Sequence, residues 1–333
     1  MLKKGCKPVV LITTGDPAGI GPEIVVKVLK DERIHEKAKF FVIGDETIYR
    51  VLGSLEINPV RDLNNYKEGF LNLISVSNIK NIKPGVPTKE TAISAYMSLE
   101  KAVGLIKQGI AKAVITGPVY KKGIISAGIK FIGHTEFFQE RFNISDVLMS
   151  FYSDKLFVGT ATTHLPISKV SKAIKKNALR NKIFIALTFL KKFFGLSRPS
   201  IAVLGLNPHA GEGGSFGEEE LNTILPICHE FRQNGENVVG PIPADVAFFY
   251  ALKGDYDFVF GMYHDQVLAP FKMLFFESGV NVTMGLPFIR TSPDHGTAFD
   301  IAGTGKANCI SMVKSVKLAL KMLRFVKRSK DEN

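Results

Sequence analysis

Sulfur chemistry is scarce in this chain. Its three cysteines, Cys6, Cys228 and Cys309, are an odd number, lie far apart and form no Cys-x-x-Cys. That argues against both a disulfide framework and a thiolate zinc site, and fits a reducing cytoplasm. Long apolar runs are missing too: the longest, such as Pro8 to Thr14 and Ile201 to Leu206, are strand-length, well short of the roughly 20 residues that span a bilayer. No membrane segment is expected. The basic residues before Val9 are followed by too short an apolar patch for a signal peptide and by no small-residue cleavage site, so the stretch reads as a first strand. There is no internal repeat, no low-complexity tract and no Gly-Lys-Ser/Thr of a P-loop.

What is there is enzyme-sized and globular. At 333 residues with 45% hydrophobic content, the chain exceeds the usual ceiling for one core, so two domains facing a cleft are expected. The formal charge of +12 raises the question of nucleic acid, but the cations are dispersed along helices. Lys169, Lys172, Lys175, Lys176, Arg180 and Lys182 recur along one; Lys314 to Lys330 decorate another, whose Val313, Val316, Leu320 and Leu323 keep helical spacing. Lys327, Arg328 and Lys330 also complement the negative end of that last helix. Solvated helix faces account for the charge, no nucleic-acid partner is expected, and the net positive field favours an anionic, phosphorylated substrate.

Strand-like runs at Val9 to Thr14, Phe40 to Ile43, Ala113 to Thr116, Leu156 to Thr160, Ile201 to Leu206 and Phe258 to Gly261 alternate with helical segments. The alternation predicts an α/β protein with mostly parallel sheets and crossover helices. Thr91 to Gln108 carries the period of a packed helix, and Ser168 to Phe194 reads as one or two helices ending before Gly195. The expected domains are a discontinuous terminal α/β domain, 1–133 plus 285–333, and a central α/β domain, 134–284, with the active-site cleft between them.

Three histidines, His164, His209 and His264, each follow a short apolar run and sit in a glycine-containing or polar turn. Strand ends are where an open α/β sheet gathers reactive groups, and three neutral imidazoles suffice as donors for one catalytic divalent metal. Taken singly, each histidine reads as a hydrogen-bonded loop residue; recurrence of one context three times points to a shared metal site.

The remaining motifs admit two readings each. Thr14-Gly-Asp-Pro-Ala-Gly-Ile-Gly-Pro-Glu23 follows the first strand as a dinucleotide loop would, but Ile24 stands where the Rossmann fingerprint wants a small residue, and a tight strand-to-helix turn explains it equally. Gly133-His134-Thr135-Glu136 offers an imidazole and a hydroxyl to a phosphate or carboxylate, or merely a capping threonine. Asp245 falls at a helix start, suited to capping or to proton chemistry. Lys272 and Arg290 lie in apolar surroundings, where a cation needs either an anionic ligand or a structural ion pair.

Taken together, these motifs resemble the 4-hydroxythreonine-4-phosphate dehydrogenase family along essentially the whole chain. The likeness is carried by Thr14 to Glu23, Gly133 to Glu136, Leu206-Asn-Pro-His-Ala-Gly-Glu-Gly-Gly214, Tyr263-His-Asp-Gln266 and Thr291-Ser-Pro-Asp-His-Gly-Thr-Ala298. It implies that His164, His209 and His264 bind a divalent zinc, magnesium or cobalt ion, with ligands shared across a homodimer. It further implies substrate binding by His134, Thr135, Lys272, Asn281 and Arg290. The implied fold is that of isocitrate and isopropylmalate dehydrogenases, which bind NAD without a Rossmann fingerprint. His295-Gly-Thr-Ala-Phe-Asp-Ile-Ala-Gly-Thr-Gly305 is similar to their cofactor loop, which makes His295, Gly296, Asp300 and Gly303 candidates for holding NAD or NADP; Phe299 stands where many of those enzymes have proline. The implied reaction oxidises 4-phosphooxy-L-threonine and then decarboxylates it to 3-amino-2-oxopropyl phosphate in pyridoxal phosphate synthesis. Lys272 and Asp245 are the candidates for proton transfer. The alternative substrates are 4-phospho-D-threonate and 4-phospho-D-erythronate.

Overall fold

The structure, a computed structural model, describes residues 7–53 and 55–331, with side chains as far as Val326. Cys6 and the side chains of Lys327, Arg328 and Lys330 lie outside the described residues. In chain order the main elements are β1 (Val9–Thr13), α1 (Gly21–Leu29), α2 (Glu32–His35), β2 (Lys39–Asp45), α3 (Glu46–Leu52), β3 (Ile57–Pro59), β4 (Leu71–Ser77), α4 (Lys89–Lys107), β5 (Ala113–Thr116), α5 (Lys121–Ser126) and α6 (His134–Arg141). They continue with β6 (Leu148–Tyr152), β7 (Phe157–Thr160), α7 (Ile167–Ala173), α8 (Lys176–Phe194), β8 (Ser200–Leu204), α9 (Leu225–Gln233), β9 (Asn237–Ile242), α10 (Ala244–Lys253), β10 (Phe258–Gly261), α11 (His264–Phe275), β11 (Val280–Met284), β12 (Ile289–Pro293) and α12 (Ile310–Asp331).

Two compact units result. The first ends at Asn143 and resumes over Leu286–Arg324; the second holds Ile144–Gly285 and the stretch from Phe325. In the first unit the strand order is β3-β4-β2-β1-β5-β12, and every pairing is parallel. Its central strands are unbroken apolar runs because both faces are covered: Val10, Leu11 and Ile12 of β1 and Val114 and Ile115 of β5 are fully buried. In the second unit the order is β11-β6-β7-β10-β8-β9, with β6 antiparallel to both neighbours and β7, β10, β8 and β9 mutually parallel. This is the mostly parallel α/β architecture read from the sequence. Its core packs Phe151, Val158, Leu204, Val259, Val267 and Phe271 beneath α10 and α11.

The stretch Ser168–Phe194, read as one or two helices, forms as two, α7 and α8, because Ile174 turns extended (ψ 88) at the C-cap of α7. No helix among the described residues is long and apolar enough to cross a membrane.

The glycines after β1 serve close packing. Gly15 has φ +79, and a Cβ on it would lie 2.2 Å from the Pro118 carbonyl oxygen; one on Gly21 would lie 2.0 Å from the Thr14 carbonyl oxygen. Neither position admits a side chain. With Pro22 in the first turn of α1, the motif is a tight strand-to-helix turn.

Candidate active site

Because β7, β10, β8 and β9 are parallel, their C-terminal ends share one edge of the second unit's sheet. His164 lies in the loop after β7, His264 opens α11 after β10, His209 sits in the turn after β8, and Asp245 lies in the first turn of α10 after β9. Backbone chemistry laces these loops together. Ala161 and Thr162 donate through their amides to the Gly261 and Met262 carbonyls at 2.8 and 3.1 Å, and the Thr162 hydroxyl adds a second bond to Met262. Gln266 accepts from the Met262 amide and donates to the Gly205 carbonyl, both at 2.7 Å, joining the His264 turn to the His209 turn. The Gly205 amide in turn donates to Ile242 at the end of β9. Beneath His209 the buried Glu220 carboxylate accepts from the Leu206 and Asn207 amides, each at 2.7 Å. His209 itself takes left-handed backbone angles (φ 50, ψ 31), a costly choice for a residue with a side chain.

The His164 and His264 rings approach to 5.8 Å between centroids, tilted by 43°. Asp265 Oδ1 lies 2.6 Å from His264 Nδ1, a carboxylate partner that leaves the other ring nitrogen available for a metal to take. His164 and His209 are exposed and His264 is half-buried. Among the described residues, no group of three or more His, Cys, Asp or Glu side chains in one chain is arranged round a common point. The chemistry of the donor set, neutral imidazoles with a carboxylate behind one of them, fits a divalent first-row ion, with two rings close together and the third on the adjoining turn.

Asp245 does not cap α10: the N-cap is Pro243, the Asp245 side chain is exposed, and it makes no hydrogen bond among the described residues. Lys272, half-buried on α11, holds its ammonium 5.6 Å from the centre of the Phe276 ring. Asn281 is half-buried on β11, opposite Phe151.

The remaining predicted residues belong to the first unit. Arg290 is only 3% exposed on β12, and its Nε and Nη2 donate to Thr116 Oγ1 at 3.2 and 2.8 Å. Burial pulls its pKa down to about 9, against the Glu136 carboxylate, which favours the charged form. His134 and Thr135 form the first turn of α6. Burial first, then the Arg290 and Lys121 cations, holds His134 well below the ordinary imidazole pKa, and its Nε2 is buried without a partner. The loop His295–Gly305 lies over the glycine turn after β1: the Ile20 amide donates to the Thr297 carbonyl at 2.9 Å, Phe299 meets Tyr120 edge to face, and a Cβ on Gly303 would lie 2.6 Å from Pro84. His295 Nε2 is likewise buried without a partner. Gly296 and Asp300 are exposed on this loop.

Sequence reasoning passed over Asp16. Asp16 is fully buried, accepts from the Ala18 amide at 3.0 Å through Oδ1, and leaves Oδ2 unpartnered; burial raises its pKa. Its place between two glycines in the strand-end turn was the available signal.

The chain is similar to known proteins over most of its length. The family model described as pyridoxal phosphate biosynthetic protein PdxA matches residues 36–319. The chain is 42% identical over 322 residues to a 4-hydroxythreonine-4-phosphate dehydrogenase from Enterobacter sp. (strain 638), covering 94% of this chain and 97% of that protein. It is 39% identical over 324 residues to a D-threonate 4-phosphate dehydrogenase from Pectobacterium atrosepticum, covering 94% and 99%. The crystal structure of a 4-hydroxythreonine-4-phosphate dehydrogenase from Klebsiella pneumoniae matches with a TM-score of 0.85 at 36% identity, over 96% of this chain and 100% of that one. An isocitrate dehydrogenase from Methylococcus capsulatus, 12% identical with a TM-score of 0.50 over 97% and 88%, shares the fold alone.

Proposed function

This chain belongs to the pyridoxal phosphate biosynthetic protein PdxA family, and from that premise we propose that it is a cytoplasmic, NAD- or NADP-dependent and divalent-metal-dependent dehydrogenase. Its substrate in this reading is 4-phosphooxy-L-threonine, oxidised at its secondary hydroxyl and decarboxylated to 3-amino-2-oxopropyl phosphate. The observation that carries the reading is the lacing of the His164, His209 and His264 turns along one sheet edge. When bound, the cation (zinc, magnesium or cobalt) supplies Lewis-acid polarisation of the substrate's oxygen and the nicotinamide accepts hydride.

The chain's own residues do the rest. His164, His209 and His264 hold the cation, and Asp265 keeps His264 in the tautomer that can donate. Arg290, His134, Thr135, Lys272 and Asn281 bind the substrate, the cations among them taking its anionic groups. His295, Gly296, Asp300 and Gly303 hold the nicotinamide cofactor. Asp245, exposed and without a hydrogen-bond partner, and Lys272 are the groups for moving a proton.

A homodimer completes the site. Met273 and Phe276 at the end of α11 are 81% and 72% exposed, and Val246, Phe249 and Tyr250 on α10 are also open to solvent. Exposed apolar side chains on the two helices that follow the proposed metal-binding edge suit a second copy of the chain.

A second reading, 4-phospho-D-threonate or 4-phospho-D-erythronate as substrate, is favoured by the nearly equal identity to the D-threonate 4-phosphate dehydrogenase. Rates of cofactor reduction with each of the three compounds decide. The primary reading expects kcat/KM for the L-threonine derivative to exceed the others by about 10-fold or more, the discrimination that a site hydrogen-bonding the amino group supplies. A preference for either acid lacking nitrogen would replace it with the second reading, and absence of cofactor reduction with all three would remove both.

A further inference from the structure

Lys121 opens α5, just beyond the end of β5, and its ammonium reaches the turn that precedes α6. A Cβ on Gly133 would lie 3.4 Å from Lys121 Nζ and 2.8 Å from Glu136 Oε2, so glycine there leaves room for both side chains to converge. Lys121 Nζ makes no ion pair or hydrogen bond among the described residues, Glu136 included. Around it stand the buried Arg290 guanidinium, the unpartnered Nε2 of His134, and an α6 N-terminus that no side chain caps. Two cations against one carboxylate leave a net positive charge beside an imidazole that both cations help to keep neutral. Such an arrangement is short of an anion. A phosphoryl group supplies one, with enough oxygens to accept from an ammonium, a guanidinium, an imidazole N–H and helix amides together.

We propose that Lys121 is a further substrate-binding residue, contacting the phosphoryl group at the Gly133 turn together with Arg290, His134 and the first turn of α6. This rests on the reading that the substrate is a phosphate monoester. Lys121 neither donates nor removes a proton in the reaction; it raises affinity for the phosphorylated molecule. Its exposed position means that the fold does not depend on it.

The test compares the full-length protein with Lys121→Met and Lys121→Arg. Lys121→Met should raise KM for the phosphorylated substrate about 10- to 100-fold, the worth of one charge-assisted hydrogen bond, with kcat within about threefold and KM for the nicotinamide unchanged. Lys121→Arg should recover most of the loss. A KM within twofold of wild type would overturn the proposal, as would a parallel rise in KM for the nicotinamide. Protection against thermal unfolding by inorganic phosphate, with acetate as control, separates this proposal from the choice of substrate. Wild type should be protected by phosphate and Lys121→Met should not, even if every candidate substrate proves inert. Equal protection of both proteins, protection of neither, or protection by acetate alone would overturn it.

Discussion

The two units treat their polar groups in opposite ways. At the strand ends of the second unit, hydrogen bonds through Ala161, Thr162, Gly205 and Gln266 tie the turns together while His164 and His209 are exposed. In the first unit Asp16 and Arg290 are buried, and the buried atoms Asp16 Oδ2, His134 Nε2 and His295 Nε2 have no hydrogen-bond partner among the described residues. An exposed imidazole costs the fold nothing and waits for a ligand and a neighbouring surface. A buried, unpartnered carboxylate or imidazole lowers stability until something binds it. One region is thus rigid in its frame and open in its donors; the other stores its cost in the donors themselves.

The widest separation between the regions should appear on removing a proposed metal ligand. His209→Ala is expected to lower cofactor reduction about 10³-fold while leaving Tm within about 2 °C, since the ring is exposed. Asp265→Ala, acting through His264, should weaken metal binding by about 10- to 100-fold. If His209→Ala unfolds the protein, the ring is structural and the contrast fails. Next come the exposed apolar side chains: if they carry the proposed homodimer, Met273→Glu combined with Phe276→Glu should give a monomer by light scattering and abolish turnover with it. An active monomer would show that one copy suffices.

Smaller effects sharpen the first unit's side. His134 has a folded pKa well below 6.5, so the unfolded chain binds the extra proton first. Stability is therefore complete above about pH 6.5 and is lost as pH falls from there toward the folded value, by at most about 1.4 kcal/mol per pH unit. Denaturant titrations at descending pH should show this slope reduced in His134→Gln. Asp16 has the opposite sign: its raised pKa means the folded state binds the proton more tightly, so stability is lost as pH rises from 3.8 through the folded value, and the full cost is present at neutrality. Asp16→Asn keeps the acceptor for Ala18 and should raise Tm by about 2–4 °C while lowering activity. A lower Tm would mean that the charged form is stabilised by contacts not yet recognised.

Legibility followed unbroken apolar composition rather than burial alone. Strands β1, β5 and β10 stood out because sheets covered on both faces demand unbroken apolar runs. β12, Ile-Arg-Thr-Ser-Pro, hid because a buried strand holding an arginine and a proline resembles a polar loop, and β4 and β11 hid behind mixed polar residues. The histidines were legible because strand ends are local features, repeated three times. Lys121 was not: nothing in Val119-Tyr120-Lys121 distinguishes it from a surface lysine, and its surroundings arise only when α6 folds back beside β5 and β12. The break between α7 and α8 has no glycine or proline to announce it. For the glycine turn after β1, the sequence left a dinucleotide loop and a tight strand-to-helix turn open, and the close approach of Pro118 to Gly15 shows the packing role.

Cobalt(II) titration followed by visible absorption, on metal-stripped full-length protein, bears most directly on whether His164, His209 and His264 act as one ligand set. The account predicts saturation at one cobalt per chain, with a nitrogen-ligand spectrum that disappears in His209→Ala. Saturation of His209→Ala at wild-type stoichiometry and affinity, or no binding by wild type, would contradict it.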